Sequence, residues 1–200
     1  MAKANWVKTS PSGGSGNATV NVSSTSPHTG RKARTSVLTF KAANVTDVSC
    51  TVNQAGKPAF VDIADAATAD KAGKVVTISG VSNSKNLTFS LGTGDLTITL
   101  PNTYTANSLT TTNGVDISGD PGALSEYNFS ISITVPSNEG TTPLTRQIIV
   151  ADESGNQDVC NLTLAAGDAY IIISVSEIEL DYLGTPVTVD VESNTTWTVE

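Results

Sequence analysis

Apolar residues in this chain recur at every second position, in run after run. Leu87-Thr-Phe-Ser-Leu91, Leu96-Thr-Ile-Thr-Leu100 and Phe129-Ser-Ile-Ser-Ile-Thr-Val135 are the clearest, and residues 19–22, 36–40 and 48–52 follow the same rule. Successive side chains of a strand point to opposite faces, so a period of two builds a sheet with one apolar and one polar face. Leu87, Phe89 and Leu91 therefore share one face, with Thr88 and Ser90 on the other. A helix needs a period near 3.6, and no segment here shows it. Between the runs stand Gly92-Thr-Gly-Asp95, Ser118-Gly-Asp-Pro-Gly122, Ser137-Asn-Glu-Gly140 and Glu153-Ser-Gly-Asn156, residue types suited to tight turns. The predicted fold class is all-β, as tandem immunoglobulin-like β-sandwich modules. Residues 64–70 fit a helical turn or a loop.

One pattern occurs twice. Asp47-Val-Ser-Cys-Thr-Val-Asn-Gln-Ala-Gly-Lys-Pro-Ala-Phe60 returns, with small gaps, as Asp158-Val-Cys-Asn-Leu-Thr-Leu-Ala-Ala-Gly-Asp-Ala-Tyr170. Each copy follows a strand led by an arginine, Arg34 or Arg146. Each closes with an Ala-Gly joint and an aromatic that opens the next strand. Such recurrence marks chained modules. It divides the chain into residues 1–57, the second half of a sandwich; 58–168, a complete sandwich; and 169–200, the first half of another. Set end to end, the terminal pieces would make one sandwich. Either the chain continues past Glu200, or subunits complete one another. In the second case the strands expected at residues 178–182 and 187–191 add to a 1–57 piece. Gly56 and Gly167 are expected to let the chain turn into the next module with little linker. Cys50 and Cys160 are expected each to fill its own core as a small apolar group.

Charge is segregated. The net charge is −8. Residues 1–57 carry seven bases and one acid, residues 58–168 four bases and twelve acids, and residues 169–200 six acids and no base. The terminal pieces thus stand at +6 and −6, which favours their encounter. Lys3, Lys8, Arg31, Lys32 and Arg34 are candidates for anchoring the chain to a particle. Aromatics make up 5% of the chain, and Thr, Ser, Asn and Gly dominate it, as in solvated β-modules rather than in an enzyme with a deep pocket.

Catalytic chemistry has little to draw on. The one histidine, His28, lies in the turn Ser26-Pro-His-Thr-Gly30. No Ser/His/acid or Cys/His set is spaced for nucleophilic work, and no ligand cluster suits a metal, so no enzyme activity, cofactor or metal is expected. The glycines of Ser10-Pro-Ser-Gly-Gly-Ser-Gly-Asn17 lack the lysine of a phosphate loop. Asp152-Glu-Ser-Gly-Asn-Gln-Asp158 loosely matches a calcium loop without its closing glutamate, and reads as a hairpin turn. The bases of the N-terminal piece are diluted by Ser and Thr, which argues against nucleic acid. No run is long enough to span a membrane, and Met1-Ala-Lys-Ala-Asn-Trp6 lacks the apolar segment of a secretory signal. Trp6 and Trp197 have two open readings, core aromatics of the joined sandwich or exposed platforms for a sugar.

The terminal pieces resemble the BACON domain. Ser193-Asn-Thr-Thr-Trp197, Trp6, Ser10-Pro11, Gly13, Gly16-Asn17, Arg34 and Gln54-Ala-Gly56 carry the resemblance, with the second half of the pattern coming first. Residues 58–168 lack both tryptophans and the Ser-Pro-Ser-Gly-Gly loop, and there only an immunoglobulin-like sandwich is expected. BACON modules ride on exported bacterial proteins that handle glycans, and occur in virion proteins of crAss-like bacteriophages. Without a secretory signal the resemblance implies the second setting. That is a non-enzymatic structural virion protein, a head fibre or capsid decoration, assembled in the host cytoplasm. Its implied partners are capsid or other virion proteins, further copies of itself and host-surface glycans. The alternative is a carbohydrate-binding or spacer module of a Bacteroidetes glycan-handling protein at the cell surface.

Overall fold

The computed structural model describes residues 3–200. The chain is all-β. In the N-terminal piece, β1 (Val7–Ser10) pairs antiparallel with β2 (Asn21–Ser24), and β3 (Arg34–Phe40) with β4 (Val48–Gln54). Ala4 donates its N–H to Ser36 Oγ at 2.9 Å, tying the two hairpins together. Val7, Ser36 and Leu38 are buried there, while Val22, Phe40 and Val48 stay exposed.

The central sandwich contains β5 (Val61–Ile63), β6 (Ala66–Ala69), β7 (Lys74–Ser82), β8 (Leu87–Gly94), β9 (Thr103–Ala106), β10 (Leu109–Thr112), a 3-10 turn at Pro121–Ala123, β11 (Tyr127–Val135), β12 (Leu144–Asp152) and β13 (Gln157–Leu164). One sheet has the order β10-β9-β11-β7-β5, the other β6-β13-β12-β8. Alternate residues of β11, from Tyr127 through Phe129, Ile131 and Ile133 to Val135, are all buried. They pack with Ile78, Leu87, Phe89, Ile148, Val150, Leu162 and Leu164 in one core. The Phe89 ring lies 5.1 Å from that of Tyr104 and 5.9 Å from that of Phe129. Each large side chain sealed in this way contributes roughly 1.5–3 kcal/mol. In the C-terminal piece β14 (Ile171–Ile173) pairs antiparallel with β15 (Val191–Ser193).

Several expectations need correction. Residues 64–70 hold β6, neither helix nor loop, because the edge of β13 offers a parallel ladder that Ala66–Ala69 fills. Leu96 and Ile98 are buried alternately as expected, yet their segment joins no sheet. Leu91 is 40% exposed. It sits on the edge strand β8, beside a register shift opposite Arg146 and Ile148. The strands expected at 178–182 and 187–191 do not form. There Asp181 turns the chain by accepting N–H bonds from Leu183 and Thr185, and only Val191–Ser193 pairs. Alternation alone does not make a strand where no sheet lies alongside.

Cys160 is sealed in the central core, but Cys50 is exposed. Its cross-strand neighbour Leu38 is buried, but Cys50 itself is not covered. The two terminal pieces flank opposite ends of β11. β11 spans roughly 27 Å at ~3.4 Å per residue. The N-terminal piece abuts its Tyr127 end and the C-terminal piece its Val135 end. Among the described residues no helix is long and apolar enough to cross a membrane.

Candidate functional site

At the Tyr127 end, β7 runs into Ser82, Asn83 and Ser84, all fully buried. The Asn83 side-chain amide donates to the carbonyls of Thr29 (3.0 Å), Pro58 (3.1 Å) and Lys57 (3.3 Å). Its Oδ1 accepts the Phe60 N–H at 3.0 Å. Ser82 Oγ donates to the Phe60 carbonyl at 2.7 Å and accepts the Ser84 N–H at 2.9 Å. Buried polar groups persist only when paired, and this cluster pairs them across the module boundary.

Arg31 adds charge to the staple. Its Nε donates to the Asn83 carbonyl at 2.7 Å, and its guanidinium is ion-paired with Asp120. Glu153 lies 3.8 Å away. The backbone joins in: Arg31 N–H to Gly122 O at 2.8 Å, Lys32 N–H to Ala123 O at 3.0 Å, and Lys57 N–H to Gly30 O at 2.9 Å. Lys57 also stands 3.5 Å over the Phe60 ring, a cation–π contact. Asp152 backs the joint. Its buried carboxylate accepts from Ser84 Oγ and from Asn156 and Ser154. Desolvation is the largest single influence and raises its pKa, but the Asn156, Ser84 and Ser154 hydrogen bonds together hold it below the ordinary aspartate value. Tyr127 donates its hydroxyl to the Ser84 carbonyl at 2.9 Å, and burial pushes this phenol well upward.

The Val135 end repeats the arrangement. Asn194 donates to the carbonyls of Glu139 (2.8 Å) and Asp168 (2.9 Å), and accepts the Tyr170 N–H at 3.0 Å. Ser193 Oγ donates to the Tyr170 carbonyl at 2.8 Å and accepts the Thr195 N–H at 3.1 Å. Gly167 N–H donates to Gly140 O at 2.7 Å. Lys71 is ion-paired with Asp168. The register agrees: Val61 faces Ser82 in one ladder, and Ile171 faces Ser193 in the other.

The joint glycines act by close approach, not by a left-handed backbone. Neither Gly56 nor Gly167 has a positive φ. A Cβ on Gly56 would lie 1.8 Å from the Arg31 carbonyl oxygen, and one on Gly167 2.6 Å from the Asn138 carbonyl oxygen.

The N-terminal piece also bears an open groove of about 690 Å³, lined by Thr9, Pro11, Val20, Leu38 and Phe40. Lys3 and Lys41 stand at its rim. Lys3 Nζ donates to the Val7 carbonyl at 2.6 Å, and Lys8 is exposed. Of the other candidate anchors, Arg31 and Lys32 face Asp120 across the joint. Arg34 lies 4.6 Å over the half-buried Trp6 ring and donates from Nε to Gln54 Oε1 at 2.9 Å. Trp197 is 47% exposed and belongs to the opposite end, so the two tryptophans do not meet within one chain. His28 donates from Nε2 to the Lys32 carbonyl at 2.7 Å. Sequence reasoning missed Ser82, Asn83 and Ser193 as joint residues. The signal was present as Ser82-Asn-Ser84 and Ser193-Asn-Thr195, each a little over twenty residues after the aromatic it binds.

Residues 1–55 match the family model BACON, described as "Putative binding domain, N-terminal". No curated protein matches the chain. Among solved structures, an endo-fucoidan hydrolase from glycoside hydrolase family 107 aligns with 83% of this chain and 22% of its own length. The identity is 7% and the TM-score 0.32. The chain spans under a quarter of that hydrolase.

Proposed function

We propose that this chain is a non-enzymatic structural protein whose sandwiches are chained into a spacer, displayed on a bacteriophage particle as a head fibre or capsid decoration. The observation that carries the spacer reading is the repeated joint. At each end of the central sandwich an asparagine, Asn83 or Asn194, donates to carbonyls of the adjoining module, while it and the preceding serine hold the aromatic that opens its own module. A joint so satisfied holds direction from module to module, which a projecting stalk needs and a catalyst does not. The particle setting rests on the BACON resemblance. Quantitative proteomics of gradient-purified particles and of host envelope fractions tests it. Co-purification with particles supports it, and recovery from envelope fractions alone defeats it.

A second reading, sugar binding at a bacterial surface, draws on the open groove beside Lys3 and on Trp6, together with the binding role printed for the matching family. Glycan-array signal that disappears in Trp6→Ala, with the fold retained, would favour it over the first.

A further inference from the structure

We infer that Asn113 is a modification site gated by the fold: its side-chain amide closes the outer edge of β8, and deamidation there, held off while β8 is in place, unlatches that edge. The inference is independent of the spacer reading and rests on the central sandwich alone.

β8 is an edge strand, bonded within its sheet to β12 on one side only. An edge presents backbone groups with no ladder to enter. The segment after β10 takes them up. Asn113 Oδ1 accepts the Phe89 N–H at 2.7 Å, and Asn113 Nδ2 donates to the Phe89 carbonyl at 3.1 Å. These are the two bonds that a residue of a neighbouring strand would make, so one primary amide stands in for a strand. Beside them, Gly114 donates its N–H to the Leu87 carbonyl at 2.9 Å, and the Leu87 N–H donates to the Tyr104 hydroxyl at 3.2 Å. Phe89 carries its ring into the core, against those of Tyr104 and Phe129. The latch therefore holds a core side chain by its backbone.

Asn113-Gly114 is the one Asn-Gly pair in the chain. Glycine has no side chain to shield its nitrogen, which makes it the neighbour that most favours ring closure onto asparagine. The Gly114 nitrogen attacks Cγ of Asn113. A new N–C bond forms, the Cγ–Nδ2 bond breaks, the Gly114 proton passes to the departing nitrogen, and ammonia leaves. The succinimide then takes up one water and opens at either carbonyl, giving aspartate or isoaspartate at position 113. Water is the only co-reactant.

The native geometry opposes the first step twice. The attacking N–H is committed to Leu87, and the side-chain amide is held at both its oxygen and its nitrogen by Phe89. Asn113 is only half-buried and Gly114 is exposed. Water reaches the pair, so hydrogen bonds rather than exclusion of solvent hold the reaction off. Conversion would not be neutral. Aspartate still accepts from the Phe89 N–H but cannot donate to the Phe89 carbonyl, and its second oxygen repels that carbonyl. Isoaspartate lengthens the main chain by one carbon and carries the carboxylate out of register.

Native chain and chain unfolded in urea are held at pH 8, and peptide mapping by mass spectrometry follows asparagine, aspartate and isoaspartate at position 113. Conversion is expected to be at least about tenfold slower in the folded chain, because it must wait for the β8 edge to open. Equal rates in the two states overturn the inference. The consequence of conversion is read on Asn113→Asp and Asn113→Ala. Hydrogen exchange at the Phe89 amide should stay slow in Asn113→Asp, which keeps the acceptor, and quicken at least about tenfold in Asn113→Ala. The urea midpoint should fall in both. An Asn113→Asp chain as stable as the wild type overturns the inference, and so does a Phe89 amide that Asn113→Ala leaves unchanged. None of these outcomes touches the spacer reading, which the particle proteomics tests.

Discussion

Phe60 donates its backbone N–H to Asn83 Oδ1 at 3.0 Å and gives its carbonyl to the neighbouring Ser82 hydroxyl, so the first residues of the central sandwich are held by the end of its own third strand. The same side chain of Asn83 reaches back to Thr29 and Lys57 of the preceding piece and to Pro58, the first residue of its own. One buried amide thereby decides how two modules meet.

Replacing Asn83 with alanine strands these carbonyls and the Phe60 N–H inside a dry joint. We expect a loss of about 3 kcal/mol, read by urea unfolding. Asn194→Ala makes the analogous cut where water can enter, and should cost under about 1 kcal/mol. Equal costs would mean that burial does not set the difference.

Gly56→Ala drives a methyl group into the Arg31 carbonyl, a backbone atom that cannot swing aside. The expected cost is about 3 kcal/mol of thermal stability, with a change in intermodule angle by small-angle scattering. Gly13→Ala, in a loop with no heavy atom within 4 Å of the added carbon, should leave both readouts unchanged.

Arg31 and Asp120 keep only 18% and 24% of their side-chain surface exposed. Their coupling in a double-mutant cycle should therefore exceed that of a surface pair, at about 1–2 kcal/mol. The Lys85–Asp116 pair is far more exposed and should show coupling that disappears in high salt.

Asp152 gives the joint a pH dependence. Its pKa is lower in the folded chain than in the unfolded one, so its contribution is complete above the unfolded value. It is lost as pH falls through the lower folded value. Guanidinium unfolding at pH 7 and pH 3 should show wild type losing stability on acidification. Asp152→Asn should be less stable than wild type at pH 7 and lose less between the two.

Period-two alternation reported the fold class because burial on one face is a local property of the chain. Leu87, Phe89, Ile131 and Leu162 were legible for that reason. Residues 178–182 carry the same alternation and form no strand, because a strand needs a neighbour and alternation does not say whether one is present. Leu96 and Ile98 make the same point from inside the core. The joint was half legible: Ala55-Gly56 and Ala166-Gly167 marked where it falls, but not that Gly56 is required by the Arg31 carbonyl rather than by its own φ. Asn83 was hidden because its partners lie far apart in sequence, from Thr29 to Phe60. Cys50 misled because alternation marks a face and not whether each position on it is covered: Leu38 opposite is buried and Cys50 is not.

The parallel pairing of β6 with β13 has a mechanical consequence. The chain enters the central sandwich at one end through β5 and β6, and leaves from the other end through β13. Ala66–Ala69 lies beside residues 161–164 over four paired positions. A pull on the two ends drags these strands lengthwise past each other, so their hydrogen bonds carry the load together instead of peeling one by one. The module is built to resist extension along the line in which its neighbours are attached.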